Sequence, residues 1–147
     1  MSMNIAIDGP AGAGKSTIAK LLAKNLEYIY VDTGAMYRAL AYFFLKNDID
    51  IEDEAAVEKV VENATVVIEY VNNEQQVLLN GENVTAYLRK EEVGVAASKT
   101  SAYGCVRKHL LSLQQDLAAK NDVIMDGRDI GTCVLPNAQV KIFLTAS

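Results

Sequence analysis

The stretch IAIDGPAGAGKSTIAK, Ile5 to Lys20, decides how the rest of the chain is read. Gly9, Gly14, Lys15 and Ser16 meet the pattern G-x-x-x-x-G-K-[ST]. Asn4-Ile5-Ala6-Ile7, with Asp8 behind them, predicts a short buried strand entering the loop. After the loop, Ile18, Leu21, Leu22 and Leu26 fall at helical spacing and predict the apolar side of a helix. Strand, glycine loop and helix together form the setting in which this pattern holds phosphate. By composition alone the four fixed positions recur by accident in roughly half a percent of chains this long. Glycines let the backbone curl so that successive N–H groups point inward at anionic oxygens. The helix adds its free N–H groups and the positive end of its dipole. The expected cradle is Gly9, Pro10, Ala11, Gly12, Ala13, Gly14, Lys15, Ser16 and Thr17. Lys15 is expected to reach the β- and γ-phosphates of a bound nucleotide, and the Ser16 hydroxyl to help hold Mg²⁺.

The bulk numbers narrow the partners. A chain of 147 residues suffices for one domain with a core. It is 50% hydrophobic and 22% charged, an ordinary soluble balance. A net charge of −5 argues against broad nucleic-acid or anionic-membrane binding, both of which want a positive face. Cys105 and Cys133 are isolated thiols without metal-site or disulfide spacing. No apolar run approaches a membrane span, and strand and loop begin where a signal peptide would lie. A reducing cytoplasm is the expected compartment. The sequons at Asn63 and Asn83 are then accidental.

Further along, Tyr28 to Asp32 predicts a second buried strand, and Thr33 caps a helix with Met36, Leu40, Phe43 and Phe44 on its apolar side. Asp50 to Asn63 predicts an acidic amphipathic helix whose carboxylates form a solvated face and an N-terminus. The period then changes. Val66, Ile68 and Tyr70 alternate, Asn72-Asn73 can turn, and Val77 and Leu79 form a second run. Asn80-Gly81 is a strong hairpin signal, and Glu82 to Val84 completes a three-stranded antiparallel meander. Helical patterns resume over Arg89 to Ser98 and Tyr103 to Lys120, the latter with Val106, Leu110, Leu113 and Leu117 inward. Asp122 to Asp126 and Val140 to Leu144 are the remaining strands, separated by a loop at Pro136-Asn137.

Alternating strands and helices imply a parallel sheet with helices on both faces, a three-layer α/β/α class. Ligands of such sheets sit beyond the carboxyl ends of the strands. The glycine loop, Asp32-Thr33 and Asp126-Gly127-Arg128-Asp129 all end strands there, and a common cleft is expected. Residues 1–63 and 99–147 are the expected core carrying the phosphate loop, and 64–98 an inserted subdomain. Of the four arginines, Arg38, Arg107 and Arg128 fall near the expected cleft, while Arg89 does not. Arginine's planar fork suits bidentate capture of phosphate, so these three imply a second anion beside the triphosphate.

YVDTGAMYRAL, VAASKTSAYGCVRKHL and DGRDIGTCVLPNAQVKIFLTAS resemble the bacterial cytidylate kinases of the nucleoside monophosphate kinase group. The resemblance runs from the P-loop to Ser147 and implies a P-loop NTPase core with four strands of an expected five, plus the antiparallel insert that enlarges the monophosphate-binding region. It implies the reaction ATP + CMP (or dCMP) → ADP + CDP, in pyrimidine nucleotide metabolism. Carried over residue by residue, it implies Lys15 and Arg128 as catalytic, with Thr33, Arg38 and Arg128 at the CMP phosphate and sugar. Ser98, Arg107 and Asp129 would read the cytosine, the carboxylate accepting from its amino group and the arginine donating to its ring acceptors. Asp126, or in second place Asp32, would join the metal's water shell. His109, the single histidine, is expected to pack or face solvent, because the acceptor phosphate needs no general base.

Gly104 stands where the family usually has proline, and Gln114-Gln115 where it usually has Gln-Arg. The resemblance covers roughly the first two thirds of a family chain. An arginine-rich lid and a last strand with its helix would follow, and the complete enzyme is expected to be a monomer. Without the lid the chain is expected to bind phosphate but turn over weakly or not at all. Another P-loop small-molecule kinase and a catalytically silent nucleotide-binding module are the alternatives. A regulatory GTPase is disfavoured, since no N-K-x-D motif occurs.

Overall fold

A computed structural model gives the fold and describes residues 3–9, 14–71, 74–127 and 138–143. The chain divides into two compact units, one formed by Met1–Asp32 with Gln114–Ser147 and the other by Thr33–Leu113.

The first unit is built on four parallel strands in the order β2-β6-β1-β7: β1 (Asn4–Asp8), β2 (Ile29–Tyr30), β6 (Val123–Gly127) and β7 (Val140–Phe143). Ile5, Ala6 and Ile7 are all buried, as a strand covered on both faces requires. The second strand is shorter than the expected Tyr28–Asp32. Only Ile29 and Tyr30 pair, with Val123 and Ile124, although Val31 still donates to the Ile124 carbonyl. Asp122 precedes β6, and β7 lies at the sheet edge with Phe143 exposed. Leu144 is outside the described residues, as is the Pro136-Asn137 loop.

Helix α1 (Lys15–Leu26) turns a different side inward than its leucines suggest. Ala19 and Ala23, one turn apart, pack with Ile5, Ile7 and Ile124, and Leu22 is partly buried beside them. Ile18, Leu21 and Leu26 are exposed, Leu21 by 57%. Two alanines in line let the helix axis approach the sheet more closely than bulky leucines would, and the leucines flank that contact.

In the second unit, α2 (Thr33–Lys46) takes in Thr33 as its own first residue rather than as a flanking cap. Met36, Leu40 and Phe44 are fully buried, while Phe43 is half-buried and meets Phe44 edge-on at 5.9 Å. Complete burial of side chains this size contributes about 1.5–3 kcal/mol each. The acidic helix begins later than expected. Asp50 and Asp53 form a turn, Asp53 then caps α3 (Glu54–Val60) by accepting from Ala55 and Ala56 N–H, and residues 61–63 tighten into a 3₁₀ turn.

The meander forms as β3 (Val66–Val71), β4 (Glu74–Leu79) and β5 (Glu82–Asn83). Val66 pairs with Leu79 and Ile68 with Val77, all four buried, whereas Tyr70 at the outer end of the same face is exposed. Asn80 and Gly81 have φ of 50° and 87°, the two positive values that a tight two-residue turn needs. The Asn80 side chain also accepts from Thr65 N–H at 2.8 Å, fastening the turn to the start of β3. The turn expected at Asn72-Asn73 is outside the described residues.

Helix α4 (Glu91–Thr100) packs its Ala96 and Ala97 against Ala41 of α2. Helix α5 (Gly104–Lys120) buries Val106, Leu110, Leu113 and Leu117 as their spacing requires. The Tyr103 hydroxyl donates to the Ile51 carbonyl at 2.7 Å. His109 is half-buried with Nε2 2.6 Å from the Ala64 carbonyl, so that nitrogen carries the proton and donates there. Among the described residues no helix is long and apolar enough to cross a membrane.

Candidate functional site

In the first unit the candidate site begins where β1 ends. Gly9 has φ 146°, and Gly14, the residue before α1, has φ 79° and ψ 21°. A Cβ built on Gly14 would meet nothing within 4 Å, so glycine is required there by backbone conformation and not by crowding. The Lys15 ammonium donates to the Gly9 carbonyl at 2.7 Å, joining the two ends of the loop. Ser16 and Thr17, in the first turn of α1, are solvent-exposed. The N-cap position is Gly14, which has no side chain to bond the first N–H groups of the helix. Pro10, Ala11, Gly12 and Ala13 are outside the described residues.

The same sheet edge carries carboxylates. Register pairs Ile7 with Asp126 and Asp8 with Gly127, so both acids lie at the carboxyl ends of neighbouring central strands. The Tyr30 hydroxyl donates to Asp126 Oδ1 at 2.6 Å, and the Lys20 ammonium sits 5.7 Å from the centre of the Tyr30 ring. Burial, then the Asp126 carboxylate, and lastly Asp32 push the Tyr30 phenol well above its ordinary range, so it stays a protonated donor.

In the second unit α2 and α4 flank a cavity of about 430 Å³, lined by Gly34, Tyr37, Arg38, Gly94, Ala97, Ser98 and Ser101. An adjoining cavity of about 530 Å³ shares Arg38, Gly94 and Ser98 and adds Arg89 and Lys90. Arg38 and Ser98, far apart in sequence, thus line common cavities. Arg107 stands in the first turn of α5, close enough to Tyr37 for its charge to favour the phenolate. Burial outweighs that effect and leaves the Tyr37 hydroxyl raised. Thr33 begins α2 and is half-buried, without lining either cavity. Arg128 and Asp129 are outside the described residues.

Sequence reasoning missed several of these positions. Arg89, not among the three arginines expected at the cleft, lines the second cavity with Arg38. Its place just ahead of α4 was the available signal. Gly94 sits inside a helix, where glycine costs about 0.5–1 kcal/mol relative to alanine, and a Cβ there would meet no atom within 4 Å. That combination of cost and open space marks it. Tyr30 has no sequence signal, because its partner is 96 residues away.

For metal, hard oxygen donors are present in Ser16, Asp126 and Asp32. Among the described residues no cluster of three or more His, Cys, Asp or Glu could hold an ion alone. That donor set fits Mg²⁺, which usually keeps several waters and binds through one or two protein oxygens plus substrate phosphates.

A family model described as cytidylate kinase matches residues 5–147. Among curated relatives, a cytidylate kinase of Caldicellulosiruptor bescii is 54% identical over 145 residues, covering 99% of this chain and 64% of the relative. That of Carboxydothermus hydrogenoformans is 51% identical and covered to 65%. That of Lactobacillus johnsonii is 50% identical and covered to 63%. The chain therefore spans just under two thirds of the length of these relatives.

Proposed function

We propose that this chain, which belongs to the cytidylate kinase family, carries the ATP phosphate loop and much of the acceptor site of an enzyme converting CMP or dCMP to the diphosphate at the expense of ATP. The observation that carries this reading is the pair of cavities shared by Arg38, Gly94 and Ser98, with Arg107 near Tyr37, which lines the first of them. A phosphate loop alone fits many chemistries. An arginine-bearing cavity of mononucleotide size beside hydroxyl groups favours a nucleoside monophosphate as acceptor.

In this reading Gly9 to Thr17 cradle the ATP phosphates, with Lys15 neutralising charge on the β- and γ-groups. Arg38 and Arg128 fix the acceptor phosphate, with Thr33 on its sugar side. Ser98, Arg107 and Asp129 read the cytosine. Ser16 and, through water, Asp126 would hold Mg²⁺, which would shield the phosphate charge when bound. An acceptor phosphate oxygen attacks the γ-phosphorus as the bond to the β,γ-bridging oxygen breaks and ADP leaves. The second pKa of a phosphate monoester is about 6, so the nucleophile is already deprotonated near neutral pH. Catalysis is then positioning and charge neutralisation, with Lys15 and Arg128 as the cations that touch the moving group. Residues 64–98 serve as the acceptor-side insert of a cytoplasmic, monomeric enzyme.

The test is ADP release by a form extended to the full length of the relatives. CMP or dCMP should support release well above AMP, GMP or shikimate, and equal rates with all of them would sink the reading. Asp129→Ala should selectively lose the preference for cytosine. Tight ATP-analogue binding with no CMP binding would instead favour a silent nucleotide-binding module.

A further inference from the structure

We infer that Tyr30 is a positioning residue that holds the Asp126 carboxylate in the orientation needed for the metal-bound nucleotide, an inference that rests on the kinase reading above. Three observations within one unit carry it. The Tyr30 hydroxyl donates to Asp126 Oδ1 at 2.6 Å, within the short range of a hydroxyl on a charged acceptor. Strand pairing fixes both ends of that bond. Tyr30 pairs with Ile124 in β6, and Asp126 lies two residues further along the same strand, on the same face. The ring is held in turn, since the Lys20 ammonium lies over it at 5.7 Å and the side chain packs against the core under α1.

The chemistry follows from what a carboxylate can accept. Its two oxygens offer about four lone-pair sites, so one short bond from Tyr30 fixes the rotamer and leaves capacity for a metal-bound water. An acid that meets a metal only through water has no direct coordination bond to align it. A neighbouring hydroxyl supplies the alignment, as outer-shell partners do for metal ligands generally. Lys20 stands on the helix that begins at Lys15 and Ser16, so ring, carboxylate and loop helix form one connected support.

Tyr30→Phe keeps the ring and its cation contact and removes only the hydroxyl. The measurement is calorimetric binding of the non-hydrolysable β,γ-imido analogue of ATP by the 147-residue chain across a Mg²⁺ titration. The expected result is a rise of about tenfold in the Mg²⁺ concentration at half effect, with metal-free binding unchanged. In an Asp126→Asn background, Tyr30→Phe should add no further shift. An unchanged Mg²⁺ midpoint, or an equal shift in the Asn background, overturns the assignment while the kinase reading stands. A lowered melting temperature with an unmoved midpoint gives Tyr30 a structural role only and also overturns it. A parent chain that binds the analogue equally with and without Mg²⁺ overturns the metal reading and this assignment together.

Discussion

The Lys15 ammonium and the Gly9 carbonyl meet at 2.7 Å, so the first residue of α1 is tied to the residue that follows β1. This bond spans the two ends of the glycine loop and keeps a positive charge at its mouth. Lys15→Met removes both the tie and the charge. A charge-assisted hydrogen bond contributes about 1.5–3 kcal/mol. ATP-analogue affinity should therefore fall about ten- to hundredfold by calorimetry, while CMP binding by the same variant stays close to normal.

Gly94 separates stability from ligand binding. Its position lies inside α4, and space for a Cβ is open. Gly94→Ala should stabilise the chain by about 0.5–1 kcal/mol, read as a higher denaturation midpoint in urea. Gly94→Leu should instead fill cavity space beside Arg38 and Ser98 and weaken CMP binding in a titration. Unaltered CMP affinity in the leucine variant would detach these cavities from the acceptor.

Glu27 ends α1 with φ 59° and ψ 36°, a left-handed conformation with a Cβ, and its N–H donates to the Ala23 carbonyl. Glycine adopts this backbone without the steric cost that a side chain brings. Glu27→Gly should gain about 1 kcal/mol in equilibrium unfolding, net of the added freedom of the unfolded chain. Glu27→Ala should give no such gain.

Cys105 should react slowly. Burial raises its thiol pKa, Glu58 and then Glu54 raise it further, and backbone N–H groups only partly oppose them. A raised value means less thiolate at any given pH. Alkylation by iodoacetamide, followed by peptide mass spectrometry to separate Cys105 from Cys133, should show a pH midpoint above the ordinary thiol range of about 8–9. The variant Glu58→Gln should move that midpoint down.

Periodicity located most elements because it reports which residues share a face. Val106, Leu110, Leu113 and Leu117 are all buried, and Val66, Ile68, Val77 and Leu79 line the inner side of the meander. It failed on α1, where three of the four apolar residues at helical spacing are exposed and the alanines carry the contact. Helical spacing says that residues lie together, and not which of two adjacent stripes meets the sheet. It also overran the acidic helix at its start. Asp50 and Asp53 can bond to local backbone as readily as they can sit in a helix, and here both form a turn and a cap.

By itself the sequence determined the glycine loop, the alternation that makes a parallel sheet, and the Asn80-Gly81 turn. Each rests on local stereochemistry, in which a residue's own backbone preference or a short period sets the outcome. Only the tertiary structure decided that Tyr30 meets Asp126 and that Arg38, Arg89, Gly94 and Ser98 share a cavity. Those meetings depend on strand order, register and helix packing. These are fixed when distant segments bury apolar surface together, and no residue carries that information alone.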